Sequence, residues 1–287
     1  SVPLKYAGLR PWEIWLSEAQ ERMVMAVPPE NFDRLQAIAD GQDVEITNIG
    51  TYGNDDLRLV LHYGDDVVCD ISMDLLHNCL PRRELVARWE APEQPTQSNT
   101  RTTQALSLRD TLLKLLAHPN IRSKEDVVRR YDHEVQGGTV VKPFVGIEQH
   151  VGGDAAVVVP IETKHKTGGE GVKGVALSVG ICPQYGESDP YAMAWAAVDE
   201  AFRNLVAVGA DPDQVSLLDN FCWGNPNLPD RLGSLVLAAK GCHDAAIAYN
   251  APFISGKDSL NNEYADADGI RHAIPGTLLI SAMGIVP

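Results

Sequence analysis

The chain has 287 residues, 44% hydrophobic and 22% charged, which supplies apolar material for two ordinary domains and excludes a disordered polymer. Its formal net charge of −15 excludes a broad nucleic-acid or anionic-membrane surface, because a polyanion would be repelled and the largest cationic clusters are the pairs Arg82-Arg83 and Arg129-Arg130. Cys69, Cys79, Cys182, Cys222 and Cys242 stand apart with no C-x-x-C pair, so neither a disulfide framework nor a zinc knuckle is expected. No apolar run approaches the ~20 residues of a membrane span, and the start lacks signal-peptide order. The expectation is a soluble, cytoplasmic chain with no nucleic acid and no membrane among its partners. Its abrupt ends, Ser1-Val2-Pro3 and Ile285-Val286-Pro287, suggest a piece of something longer.

In chain order, residues 22–27 alternate as a strand would, and Pro28-Pro29 opens a helix through residue 38. Strands are expected at 44–49, 57–63 and 67–71, separated by glycine-rich turns, and a short helix at 73–80. Residues 96–104 have almost no apolar content and read as a linker between a domain at 1–95 and one at 105–287. Leucines at helical spacing predict a helix over 107–117, and Ser123 caps another through 130. Beyond these, strand and helix alternate: strands at 155–160, 174–179, 214–218, 253–255 and 277–285, helices at 190–208 and 232–249. The fold class expected is α+β followed by α/β.

Chemistry is expected where apolar strands run into polar exits. Gly256-Lys257-Asp258-Ser259 offers close backbone approach, a cation and hard oxygens, the groups that grip a phosphate and its Mg²⁺, although without Walker spacing it is equally a polar strand-to-loop exit. Asp219-Asn220 repeats the layout, and ligands of open α/β sheets collect at such strand ends. Glu200 and Asn204 lie one helical turn apart and are able to share a Mg²⁺, although the spacing suits a solvent-facing polar pair better. The run Ser17-Glu18-Ala19-Gln20-Glu21-Arg22 is either a solvated turn or a site for a polar substrate. Cys222 has no base or cation beside it and reads as packing, and His133 is given no role.

Together, Pro11-Trp12-Glu13-Ile14, Ser17 through Met23, Arg130-Tyr131-Asp132-His133, Asp219-Asn220-Phe221-Cys222-Trp223-Gly224 and Gly256 through Glu263 resemble the phosphoribosylformylglycinamidine synthase family, in order and along nearly the whole chain. That family's synthetase is built from two tandem copies of an aminoimidazole-ribonucleotide-synthetase-like unit. The resemblance implies that residues 1–95 are the latter part of a C-terminal-type α/β domain from the first copy. Residues 105–287 would be the N-terminal-type, sheet- or barrel-forming, ATP-binding domain of the second. It further implies an ATP-dependent ligase of purine biosynthesis that converts formylglycinamide ribonucleotide, with glutamine-derived ammonia from a glutaminase subunit or domain, to the amidine.

Carried over position by position, Glu18, Ala19, Gln20 and Ser259 match substrate contacts, Asp219 and Gly256 match ATP contacts, and Asp258 matches a Mg²⁺ ligand. Asp154, Glu200 and Asn204 match positions of a second nucleotide-metal site in the longer, glutaminase-fused relatives. Two departures stand out: Ala19 replaces a frequent serine, and Asp258 replaces a frequent asparagine. The catalytic histidine and ATP-binding lysine of the family match no position here, so no catalytic residue is assigned and the isolated chain is expected to be inactive without the remaining synthetase domains. The alternatives are another ATP-using member such as aminoimidazole ribonucleotide synthetase, or a non-catalytic, nucleotide-holding assembly module.

Overall fold

A computed structural model describes residues 2–4, 7–17, 22–92, 107–130, 132–161, 163 and 171–287. The expected linker at 96–104 and the candidate substrate contacts Glu18, Ala19 and Gln20 lie outside the described residues. The chain divides into two units, Ser1–Arg83 and Glu84–Pro287. Residues 84–92 go with the second because the Arg88 amide donates to the Pro229 carbonyl at 2.8 Å and the Arg88 backbone lies against Gly233, where a Cβ would meet its carbonyl oxygen at 2.1 Å.

The first unit contains α1 (Pro11–Trp15), a 3-10 turn at Pro29–Asn31 leading into α2 (Phe32–Asp40), a hairpin of β1 (Arg58–Tyr63) and β2 (Asp66–Ser72), and α3 (Met73–Asn78). Gly64 turns the hairpin at φ 62°, a conformation that favours glycine, and Ser72 caps α3 by accepting the Leu75 amide. The expected strands at 22–27 and 44–49 do not form. Neither pairs with another strand among the described residues, and Met23 is 88% exposed, so alternation there has no ladder to join.

The second unit opens with α4 (Leu108–Leu116), capped by Ser107, and α5 (Glu125–Val128). Strands β3 (Thr139–Val141), β4 (Phe144–Val145), β5 (Val151–Gly152), β6 (Ala156–Val158) and β7 (Gly174–Ile181) follow. Next come α6 (Pro183–Gly186), α7 (Pro190–Ala207), β8 (Val215–Cys222), α8 (Pro229–Tyr249) and β9 (Phe253–Ser259). The hairpin β10 (Glu263–Ala265) and β11 (Arg271–Ala273) precedes the last strand, β12 (Thr277–Val286).

Six strands make one sheet in the order β3-β6-β7-β12-β8-β9. Strand-helix alternation suggests parallel neighbours, yet only β8-α8-β9 closes a parallel unit, because β12 inserts between β7 and β8 and runs antiparallel to both. Asp189 caps α7 by accepting the Ala192 amide, with Pro190 in its first turn. The helix then lays Met193, Ala197, Val198, Ala201, Phe202 and Leu205 against the sheet and α8. Burying its four largest apolar side chains contributes on the order of 6–12 kcal/mol, an upper figure. Two glycines let this helix sit low: a Cβ on Gly180 would meet the Ala197 carbonyl oxygen at 2.0 Å, and one on Gly241 of α8 would meet the Tyr191 carbonyl oxygen at 2.5 Å.

Candidate functional site

Strand β9 extends through Ser259, four residues beyond the expected end at 255, and β8 reaches Cys222 rather than 218. What reads in sequence as two polar loops is therefore one ladder: Asp219 lies opposite Gly256, Asn220 opposite Lys257, Phe221 opposite Asp258 and Cys222 opposite Ser259. The parallel crossover through α8 supplies the hydrogen-bonded neighbours that make strand of these polar residues.

Side chains alternate between faces, so the pleat sorts the candidates. Asp219, Gly256 and Asp258 share the helix-covered face, and Lys257 and Ser259 share the other. The close approach expected at Gly256 has a specific occupant. A Cβ there would lie 2.3 Å from Asp219 Oδ1, so the glycine makes room for that carboxylate.

Asp219 is half-buried, and among the described residues neither its carboxylate nor that of Asp258 accepts a hydrogen bond. Burial first, and then the negative charge of Asp258, push the Asp219 carboxyl above the usual carboxylate range. Two neighbouring carboxylates that lack donors form a set of hard oxygens that a divalent cation would satisfy, so the residues present fit Mg²⁺.

Asp219 also faces a groove of about 750 Å³ between β8, α8 and the start of β9, walled by Phe221, Ala239, Cys242, His243 and Ala246. The sequence reading missed this helical wall. Its signal is Ala239, Cys242, Ala246 and Asn250 at three- and four-residue spacing, beside the small residues Gly241 and Ala245 that pack against α7. Burial, and then Asp219, push the Cys242 thiol up to about 12, which keeps it an inert packing group.

The second pair behaves differently. Strand β6 covers β7 only as far as Leu177, leaving the backbone of Val179 and Ile181 without a strand on that side. Glu200 and Asn204 fill the gap: Glu200 Oε2 accepts the Ile181 amide at 2.7 Å and lies 3.5 Å from Cys182 Sγ, and Asn204 Nδ2 donates to the Val179 carbonyl at 3.0 Å. Asp154 lies exposed just before β6 and is hydrogen-bonded to neither among the described residues. No group of three or more His, Cys, Asp or Glu side chains among the described residues is placed to hold a metal. His133 packs against Phe144 and lies 3.3 Å from Glu134, a structural setting. Among the described residues no helix is long and apolar enough to cross a membrane.

The loops beyond β8 and β9 are tied together as well. The Trp223 amide donates to the Ser259 carbonyl at 2.8 Å, the Asn262 amide to the Trp223 carbonyl at 2.9 Å, and the Asn225 amide to Glu263 Oε1 at 2.9 Å.

With this geometry in view, the family comparisons are specific. Residues 1–62 match the profile of the AIR synthase related protein, C-terminal domain, and residues 152–286 that of the N-terminal domain. The chain belongs to the AIR synthase related family. Its two matched parts run C-terminal type first and N-terminal type second.

Among curated relatives, the phosphoribosylformylglycinamidine synthase subunit PurL of Nitrobacter winogradskyi is 37% identical over 265 residues, 92% of this chain and 33% of the relative. That of Rhodopseudomonas palustris is 36% identical over 264 residues, with the same coverage. The chain thus spans about a third of the length of the curated relatives it matches. Among solved structures, PurLQS from Thermotoga maritima superposes with a TM-score of 0.64 at 24% identity, covering 99% of this chain and 41% of that one. Phosphoribosylformylglycinamidine synthase II of the same organism gives 0.59 at 25%, with 99% and 41% covered.

Proposed function

We propose that this chain supplies part of the ATP site of a phosphoribosylformylglycinamidine synthase, the ligase that uses ATP and glutamine-derived ammonia to turn formylglycinamide ribonucleotide into its amidine. The observation that carries the reading is the donor-free carboxylate pair Asp219 and Asp258 flanking Gly256, within a chain similar along 92% of its length to PurL. Structures of T. maritima PurL with ADP, ATP, AMPPCP and FGAR support a nucleotide and this ribonucleotide as the ligands.

In this reading Asp219 and Asp258 hold Mg²⁺, which neutralises phosphate charge when bound. Gly256, which makes room for the Asp219 carboxylate, meets the nucleotide through its backbone, while Ser259, on the opposite face, meets the ribonucleotide. Glu18, Ala19 and Gln20 are proposed as ribonucleotide contacts on the family resemblance alone. The substrate amide oxygen takes the γ-phosphoryl group, breaking the terminal P–O bond of ATP. Ammonia then adds to the activated carbon, and phosphate leaves with that oxygen. For such chemistry the protein mainly positions the reactants and balances charge.

Asp154, Glu200 and Asn204 are proposed as a second nucleotide-metal position. Extending the β6–β7 register back from Ala156 opposite Leu177 sets Asp154 level with Val179, to which Asn204 is bound. The glutaminase partner, the remaining synthetase domains and the cytoplasmic setting belong to the same proposal.

The test is ADP release by the full-length synthetase supplied with ATP, the ribonucleotide and ammonium. Release that needs all three is expected, with none from the 287-residue chain alone. Full turnover without ammonium would reassign the chain to an aminoimidazole-ribonucleotide-synthetase activity. Structural stabilisation by Mg-ATP with no turnover in the full-length protein would leave the assembly-module role.

A further inference from the structure

Glu263 is the one carboxylate in this region whose side chain has no exposed surface. Its Oε1 accepts the Asn225 amide at 2.9 Å and lies 2.7 Å from Arg231 Nε of α8, and its Oε2 lies 3.0 Å from Arg271 Nε of β11. These contacts hold the carboxyl below the usual range, the Asn225 amide contributing most. The charges are close but poorly aligned, since Arg231 Nε and Glu263 Oε2 lack a hydrogen-bond partner of good geometry among the described residues.

A buried ion cluster with incomplete hydrogen bonding is a poor way to gain stability, because apolar side chains of the same volume would serve as well or better. It does fix geometry, and what it fixes here is the junction beyond β8 and β9. Asn225 leaves β8, Glu263 follows the loop that leaves β9, and between them run the backbone bonds from Trp223 to Ser259 and from Asn262 to Trp223. Gly224 and Gly276 permit this crossing, with a Cβ on the first meeting Arg231 at 2.8 Å and on the second meeting the Trp223 ring at 2.4 Å.

We propose that Glu263 is a positioning residue for the site, its carboxylate clamping the β8 and β9 exits in the register that sets Asp219 opposite Gly256, Phe221 opposite Asp258 and Cys222 opposite Ser259. The inference rests on the ATP-site reading for its catalytic consequence, but the clamp itself is independent of it. In the full-length synthetase, Glu263→Gln is expected to lower kcat at least tenfold with the KM for ATP changed less than threefold.

The double variant E263Q/R231M removes the more buried of the two cations that lose the Glu263 charge, Arg231 keeping only Asp230 at 3.5 Å among the described residues, and is expected to recover the melting temperature while kcat stays low. Recovery of kcat together with melting, or a kcat within twofold of wild type in E263Q, would overturn the proposal. Should E263Q not fold, Arg271→Met at the half-exposed rim is the substitute, with about a threefold loss of kcat expected and no loss overturning it.

Amide exchange in the 287-residue chain separates the two ideas. Faster exchange at Trp223, Asn225 and Asn262 in E263Q, with α7 unchanged, supports the clamp even if the wild-type synthetase shows no amidation, which would defeat only the ATP-site reading. Unchanged exchange would overturn the clamp whatever the activity.

Discussion

Two pairs of oxygen donors sit toward opposite ends of one sheet and have opposite electrostatic settings. Glu200 and Asn204 are tied to the backbone of β7, where a short β6 leaves Val179 and Ile181 without a strand on the side away from β12. Asp219 and Asp258 have no donor among the described residues, and Asp219 is pushed toward its protonated form. A carboxylate that replaces a missing strand is at least a strut, whereas two neighbouring carboxylates without donors are the better candidates for a cation.

The comparison is most easily broken at the β7 end. Gly180→Ala would drive a Cβ into the Ala197 carbonyl oxygen at 2.0 Å, and the backbone of α7 has no flexible end to move aside. Overpacking of this kind costs about 3 kcal/mol or more, a fall of roughly 6–12 °C in Tm for a unit of this size. A thermal melt checks it, and an unchanged Tm would mean that α7 does not sit this low on the sheet.

Asp258→Ala probes the other end. Calorimetric titration with Mg-ATP is expected to show at least a tenfold loss of affinity with Tm unchanged. Equal affinity would remove Asp258 from the metal set.

Glu200→Ala should reverse that pattern. It strips the Ile181 amide of its acceptor, and because water reaches this edge the loss is set at about 1 kcal/mol, the low end for an orphaned donor. Affinity at the Asp258 end should not move. If Glu200→Ala instead abolishes a second nucleotide per chain, the strut is also a ligand.

The smallest effect is a pH dependence. Asp219 holds its proton more tightly in the folded chain than in the unfolded one, so its contribution to stability is present at low pH and is lost as pH rises from the ordinary carboxylate range through the raised value. Asp219→Asn should flatten this part of the stability profile. Mg²⁺ affinity in the wild type should weaken as the pH falls through the same window, which titrations at several pH values would reveal.

The long helices were legible because their evidence is local. Asp189-Pro190 starts α7 at the expected residue, and its end at Ala207 falls one residue short. Residues 22–27 and 44–49 show the limit: alternation marks a segment able to be a strand, but a strand exists only where another supplies its hydrogen bonds. The converse holds for Asp219 through Cys222 and Gly256 through Ser259, whose polarity suggests loops and whose pairing makes them strands.

The sequence by itself offered the candidate side chains, placed α7 and the end of α8, and, through its motifs, pointed to the family. Only the tertiary structure decided how those side chains are divided. Register across the β8-α8-β9 crossover set Asp219 over Gly256 and turned Ser259 to the other face, and a short β6 gave Glu200 and Asn204 to the backbone of β7. Packing around Asn225, Arg231 and Arg271 buried Glu263, a residue that its neighbours in sequence mark only as one more polar group. The reason is physical: helix periodicity and caps are fixed by residues a few positions apart, whereas the face, burial and charge environment of a strand residue are set by partners tens of residues away.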